Sequence, residues 1–194
     1  MRVGIFGGTF DPIHMGHLLL AQQAMETASL EQVWFIPAGE PPHKQENEIT
    51  PAQHRLQMVR LAVEGNPRFL VNEMELKREG PSYTVDTIQI LKESTPEHDF
   101  FLLVGADTVK DLPHWYKIKK ILQLVQVIGL GRPGVRAEGL PDFVTDRLQW
   151  IPGAIETSIS STAVRQRAKC GKSLRYLVPD PVYQYIKEHR LYGT

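Results

Sequence analysis

The chain has little of what marks several protein classes. It holds one cysteine, Cys170, in 194 residues, which excludes an internal disulfide and a multi-cysteine zinc site. Neither sign of charge is in excess, since 22 Lys+Arg stand against 22 Asp+Glu. Proteins that hold long nucleic acid by counterion release carry a basic surplus, so a whole-surface binder of nucleic acid or of anionic membranes is not expected. A local basic site stays open, because a sum says nothing about placement. No apolar run approaches the ~18 residues of a membrane helix. The opening Met1-Arg2-Val3-Gly4-Ile5-Phe6-Gly7 is too short and too soon broken by glycine for a signal peptide. What remains, 42% hydrophobic and 23% charged, is the composition of a soluble globular protein, expected in the cytoplasm.

Short β-rich runs alternate with helical patterns. Val3–Phe6, Val33–Ile36, Phe69–Val71, Phe100–Val104, Leu124–Ile128 and Gln149–Ile151 read as strands. Helices are expected over His14–Ala28, Pro51–Glu64 (Thr50 as N-cap), Ser82–Lys92 (capped by Ser82), Trp115–Gln123, Ser161–Lys169 and Pro181–His189. This rhythm predicts an α/β fold, a doubly wound, Rossmann-like parallel sheet with a small C-terminal helical portion from about residue 159. At about 150 residues per domain, the whole chain, 1–194, is expected to be one domain.

The sharpest segment is Gly7-Gly8-Thr9-Phe10-Asp11-Pro12-Ile13-His14-Met15-Gly16-His17, between the first strand and the first helix. That turn faces the ligand crevice in open α/β sheets. Two glycines let phosphate oxygens approach backbone N–H groups, and the helix adds its unpaired N–H groups and positive dipole end. His14 and His17, three apart, share one helical face and can donate to a phosphate whose charge grows during reaction. A tight turn with structural histidines is the plain alternative. A zinc site lacks a third ligand at helical spacing. The segment also lacks Gly-x-Gly-x-x-Gly, which counts against a nicotinamide-dependent oxidoreductase, and it lacks the ending of a P-loop.

Toward the other end, Ile159-Ser160-Ser161-Thr162-Ala163-Val164-Arg165 reads as a capped helix start. Ser161 and Thr162 can present hydroxyls and N–H groups to phosphate, and Arg165 a fork of donors. A solvated arginine on an ordinary helix is the alternative. Between these segments, Pro41-Pro42-His43-Lys44 could hold Lys44 toward a phosphate as a point charge. Gly80-Pro81-Ser82-Tyr83-Thr84 runs into a helix start whose N–H groups could take a carboxylate. Gly105-Ala106-Asp107 follows the fourth strand, where Asp107 could accept from a ribose or cap a helix. Trp115 offers a flat face to a heteroaromatic ring.

The run Gly-Thr-Phe-Asp-Pro-x-His-x-Gly-His, with Ile-Ser-Ser-Thr-x-x-Arg, resembles the nucleotidyltransferase superfamily that carries the His-x-Gly-His motif. With the three intervening segments, essentially the whole chain resembles the bacterial nicotinate-mononucleotide adenylyltransferases. The resemblance implies transfer of the adenylyl group of ATP to nicotinate mononucleotide, the step of NAD biosynthesis that forms nicotinate adenine dinucleotide and pyrophosphate. Attack would be direct and in line, without a covalent intermediate. Magnesium is implied as cofactor, held mainly through the ATP phosphates rather than by protein ligands.

Carried over by position, His14, His17 and Arg165 are implied as catalytic. ATP would meet Gly7, Gly8, Thr9, Phe10, His17, Gly105, Asp107, Ser161, Thr162 and Arg165. Nicotinate mononucleotide would meet Thr9, His14, Lys44, Thr84 and Trp115. Ala38-Gly39-Glu40 departs from the family's Asn-Gln-Ile. Phosphopantetheine adenylyltransferases are shorter, usually have Thr at the place of His14, and lack the Pro-Pro-His-Lys and Ser-Tyr-Thr segments. A non-catalytic nucleotide sensor would have no need of a transition-state site. The exposed helical surface could support a homodimer.

Overall fold

The computed structural model describes residues 1–41, 49–130, 139–151, 153–155 and 157–194, with backbone only at 106, 107 and 130. Six parallel strands form one sheet in the order β3-β2-β1-β4-β5-β6. They are β1 (Arg2–Gly8), β2 (Gln32–Pro37), β3 (Phe69–Val71), β4 (Asp99–Val104), β5 (Gln126–Leu130) and β6 (Leu148–Ile151). The chain winds outward from β1 to β3, then returns to lay β4 on the other side of β1. The carboxyl ends of β1 and β4 therefore flank the point where the winding reverses, the place where open α/β sheets hold ligands.

Alternation along the strands builds two apolar layers. In β4, Phe101 and Leu103 face one side while Phe100, Leu102 and Val104 face the other. The first layer packs on α1 (Met15–Thr27), α2 (Ala52–Val63), α7 (Ser161–Lys169) and α8 (Asp180–Glu188). The second packs on α3 (Thr84–Ser94), α4 (Ala106–Asp111), α5 (Ile118–Leu124) and α6 (Asp142–Thr145). Both faces are covered, which is why the strands read as continuous apolar runs. Among the described residues no helix is long and apolar enough to cross a membrane.

Several boundaries differ from those expected, each for a local reason. His14 is the N-cap of α1 rather than its first helical residue. Pro51 takes the N-cap place of α2, and Thr50 is bound elsewhere: its N–H donates to Asp11 Oδ2 at 3.3 Å and its carbonyl accepts from Arg55 Nε at 2.9 Å. Ser82 does not cap α3, whose N-cap is Tyr83; its hydroxyl accepts from Gly39 N–H at 3.1 Å. The helix expected over Trp115–Gln123 starts and ends later, spanning Ile118–Leu124. A 3-10 turn spans Leu112–His114, Lys117 takes a left-handed conformation, and α5 begins at Ile118. Pro113, without an N–H, does not continue a regular helix from α4. Leu124 thus ends α5, and the fifth strand starts at Gln126.

Candidate active site

The β1–α1 turn is held from beneath by aromatic packing. Phe10, at φ 51°, is buried and packs edge-on against Phe6 at 5.6 Å and against His17 at 5.1 Å, with Phe35 at 5.9 Å. Its ring belongs to the core, so only its backbone faces the turn's outer side. Gly7 is exposed and Gly8 half-buried above it. A cleft of about 320 Å³ opens here at the carboxyl ends of β1 and β4. Gly7, Gly8, Thr9, Thr84, Gly105 and Trp115, six of the residues singled out from the sequence, line it. Asp107 lies in the first turn of α4, which begins beside the cleft. Lys44 lies outside the described residues.

The remaining candidates gather around Asp11 and Pro12 of the same turn. Ser161 Oγ donates to the Pro12 carbonyl at 2.9 Å. Arg165 Nη1 donates to the Asp11 carbonyl at 2.7 Å, and its Nη2 to Thr162 Oγ1 at 3.4 Å. The start of α7 is thereby fastened to the start of α1. Ser160 is the N-cap there, its hydroxyl accepting from Ala163 N–H at 3.1 Å, which leaves the Ser161 hydroxyl for this long-range contact.

His14 and His17 stack, with ring centroids 3.7 Å apart and planes inclined by 26°. His14 N–H donates to His17 Nδ1 at 3.2 Å, while His17 N–H goes to the His14 carbonyl at 2.9 Å. An Nδ1 that accepts leaves the proton of a neutral ring on Nε2. Burial lowers the pKa of His14 to about 4. Burial, and then the neighbouring His14, push that of His17 well below its ordinary value. Burial, the stacking and the helix N-terminus all favour the neutral form of both rings. His14 Nδ1 is buried and, among the described residues, has no hydrogen-bond partner.

Four more residues belong to the site's frame, and the sequence did not single them out for it. Arg55, 1% exposed, spreads its guanidinium over three carbonyls: Thr50 at 2.9 Å, Thr9 at 2.8 Å and Gly39 at 3.3 Å. It ties the β1–α1 turn to the loop after β2. A signal existed, because Arg55 lies on the buried stripe of α2 with Val59 and Val63, and a charge on an apolar stripe needs partners. Asp11, also buried, faces it, and Tyr192 OH donates to Asp11 Oδ1 at 2.6 Å. Glu75 lines the cleft near Thr84 and accepts from the Thr87 hydroxyl at 2.6 Å; burial raises its pKa. Asp11 stands inside the first motif, but its role there was not legible, and no local pattern marks Tyr192 or Glu75, whose importance comes from partners elsewhere in the chain.

A family model described as cytidylyltransferase-like matches residues 5–167. A nicotinate-nucleotide adenylyltransferase of Bacillus subtilis is 44% identical over 194 residues, covering 100% of this chain and 99% of that protein. A probable nicotinate-nucleotide adenylyltransferase of Exiguobacterium sibiricum is 47% identical, covering 100% of each. Among solved structures, the Plasmodium falciparum nicotinic acid mononucleotide adenylyltransferase complexed with NaAD shares the fold with a TM-score of 0.79. That match covers 98% of this chain and 97% of the other at 20% identity. With the fold, the two fastened motifs and these relatives agreeing along its whole length, the chain belongs to the nicotinate-nucleotide adenylyltransferase family.

Proposed function

We propose that the chain transfers the adenylyl group of ATP to nicotinate mononucleotide, releasing pyrophosphate and forming nicotinate adenine dinucleotide. The observation that carries this is the fastening of α7 to the β1–α1 turn through Ser161 and Arg165. It sets a fork of cationic donors and two neutral imidazoles around one backbone segment. That segment adjoins a cleft whose far wall is Thr84 and Trp115.

The acceptor phosphate is ionised at neutral pH, so no general base is required. One of its oxygens bonds to the α-phosphorus of ATP as the bond from that phosphorus to the bridging oxygen breaks, and pyrophosphate leaves with the electron pair. No residue forms a covalent intermediate. The protein's task is placement and neutralisation of growing charge. His17 Nε2–H, left as the donor by the bond its Nδ1 accepts, serves an α-phosphate oxygen as its charge grows. His14, with an unfilled Nδ1, serves the phosphate shared by both substrates. The donors of Arg165 that do not hold Asp11 or Thr162, together with Gly7, Gly8, Thr9, Ser161 and Thr162, serve the ATP phosphates. Gly105 and Asp107 serve its nucleoside. Thr84 and Trp115 receive the nicotinate, and Lys44 the mononucleotide phosphate.

Magnesium would be held mainly through the triphosphate, where it would supply positive charge to the departing pyrophosphate.

His17→Ala tests these roles. Removing one preorganised donor should lower kcat by about 100- to 1000-fold while ATP affinity stays within a few-fold. A kcat near that of the unsubstituted protein would show that His17 does not stabilise the transition state.

A further inference from the structure

Tyr192 lies in a 3-10 turn, Leu191–Gly193, that follows α8. It is far from the phosphate turn in sequence yet directly bonded to it. Its phenol donates to Asp11 Oδ1 at 2.6 Å. The other carboxylate oxygen, Oδ2, accepts from Thr50 N–H at 3.3 Å, and the Asp11 carbonyl accepts from Arg165 at 2.7 Å. Asp11 is 2% exposed, so both carboxylate oxygens depend on protein partners in place of water. Tyr192 itself has φ 60°, a backbone conformation that non-glycine residues seldom adopt. Such a conformation persists only where the surroundings fix it, and here the ring packs against the core while the phenol bonds Asp11. Burial, then Asp11, raise the pKa of the phenol, so it stays a donor.

We infer that Tyr192 is a positioning residue for adenylyl transfer: acting through Asp11, it fixes the turn that carries His14 and the carbonyl to which Arg165 is fastened. This rests on the function proposed above. The chemistry requires such a clamp. Asp11 is a buried carboxyl group beside the turn, near Arg55, and its two side-chain oxygens are taken by Thr50 N–H and the Tyr192 phenol. With the phenol removed, one carboxylate oxygen loses its partner and the segment must shift to find another. Arg165 and His14 would shift with it. The cleft wall of Thr84 and Trp115 belongs to other elements and would not.

Tyr192→Phe keeps the ring packed in the core and removes only the hydroxyl. The expected result is a fall in kcat of tenfold or more, with KM for nicotinate mononucleotide within twofold and the unfolding temperature within a few degrees. In an Asp11→Ala background, which offers the phenol no acceptor, the same change should cause little further loss. The exposed Tyr176→Phe is the control and should leave kcat unchanged. A kcat within twofold in Tyr192→Phe, or losses that multiply independently in the double variant, would overturn the inference. A second readout does not depend on the substrate assignment. The ring nitrogen resonances of His14 and His17, recorded without ligand, should move in Tyr192→Phe, and unmoved resonances would also overturn it. If the unsubstituted protein itself released no pyrophosphate, the proposed function would fail, while the resonances would still decide the clamp.

Discussion

An imidazole buried against a second imidazole cannot afford a charge, and this governs the site at the scale of single residues. His14 illustrates the consequence for stability. In the unfolded chain its pKa is near the ordinary 6.5, and in the fold burial lowers it to about 4. Above pH 6.5 both states are neutral and the contribution of His14 to stability is fully present. As pH falls from 6.5 toward 4, the unfolded chain binds a proton that the folded chain refuses, so stability is lost across that window. The shift corresponds to about 3 kcal/mol. Urea unfolding at pH 7 and pH 4.5 measures it. His14→Gln should lose markedly less stability between the two pH values than the unsubstituted protein, and equal losses would contradict the assignment.

At this scale the sequence revealed residues whose chemistry is local. Two histidines three apart, a Gly-Gly turn and a hydroxyl-rich helix start all announce themselves within a short segment. Arg55, Glu75 and Tyr192 were hidden, and Asp11 stood in the motif without a role, because what makes each important is a partner brought by the fold: Thr9 for Arg55, and the 3-10 turn after α8 for Asp11. Phe10 stood inside the motif, and nothing local distinguished a ring that packs under the turn from one that meets a ligand.

At the scale of elements, the first turn of α1 joins helix geometry to chemistry. Gly16 lies inside that turn, where alanine would favour the helix by about 1 kcal/mol. A Cβ there would sit 3.0 Å from His14 Nδ1 and 3.0 Å from Thr157 Cγ2, tighter than most packed contacts. Both neighbours must give by a few tenths of an ångström: exposed Thr157 can turn aside, whereas the buried His14 ring can do so only by shifting from its stacked place on His17. Gly16→Ala should therefore keep or slightly raise the thermal unfolding midpoint while lowering kcat by about tenfold, an amount equivalent to about 1.4 kcal/mol. Steady-state kinetics beside thermal unfolding checks this. A variant with unchanged kcat would mean that the imidazoles do not need this clearance.

Elements with strong periodicity or caps were legible: β3 and α7 have the bounds expected of them. The region from Gly105 to Leu124 was not. It holds α4, a 3-10 turn, a left-handed Lys117 and α5 in quick succession, and such short pieces present too little periodicity to separate. Ser82 was misassigned as a cap because a hydroxyl before a helix has two uses; here it accepts from Gly39 across the cleft.

At the scale of the molecule, the reversal of winding at β1 and β4 is what turns scattered motifs into one site. The order β3-β2-β1-β4-β5-β6 brings the Gly-Gly turn and Gly105 to neighbouring strand ends. The helices on the two faces then contribute separately: α1 and α7 from one layer, α3 and the Trp115 segment from the other. The parallel α/β architecture was readable from alternation alone. The joining of the two signatures was not, since nothing local encodes the Ser161–Pro12 and Arg165–Asp11 bonds. Balanced charge over the whole chain, 22 against 22, is compatible with this arrangement. Arg165, helix N-termini and neutral imidazole donors are concentrated where a small polyanion would lie.

The most direct test of the proposed function is acceptor choice. Purified protein with ATP and magnesium would be given nicotinate mononucleotide, nicotinamide mononucleotide or phosphopantetheine, each alone, and pyrophosphate release measured. Fastest release with nicotinate mononucleotide is the expected result. Faster release with either of the other two, or none with all three, would contradict it.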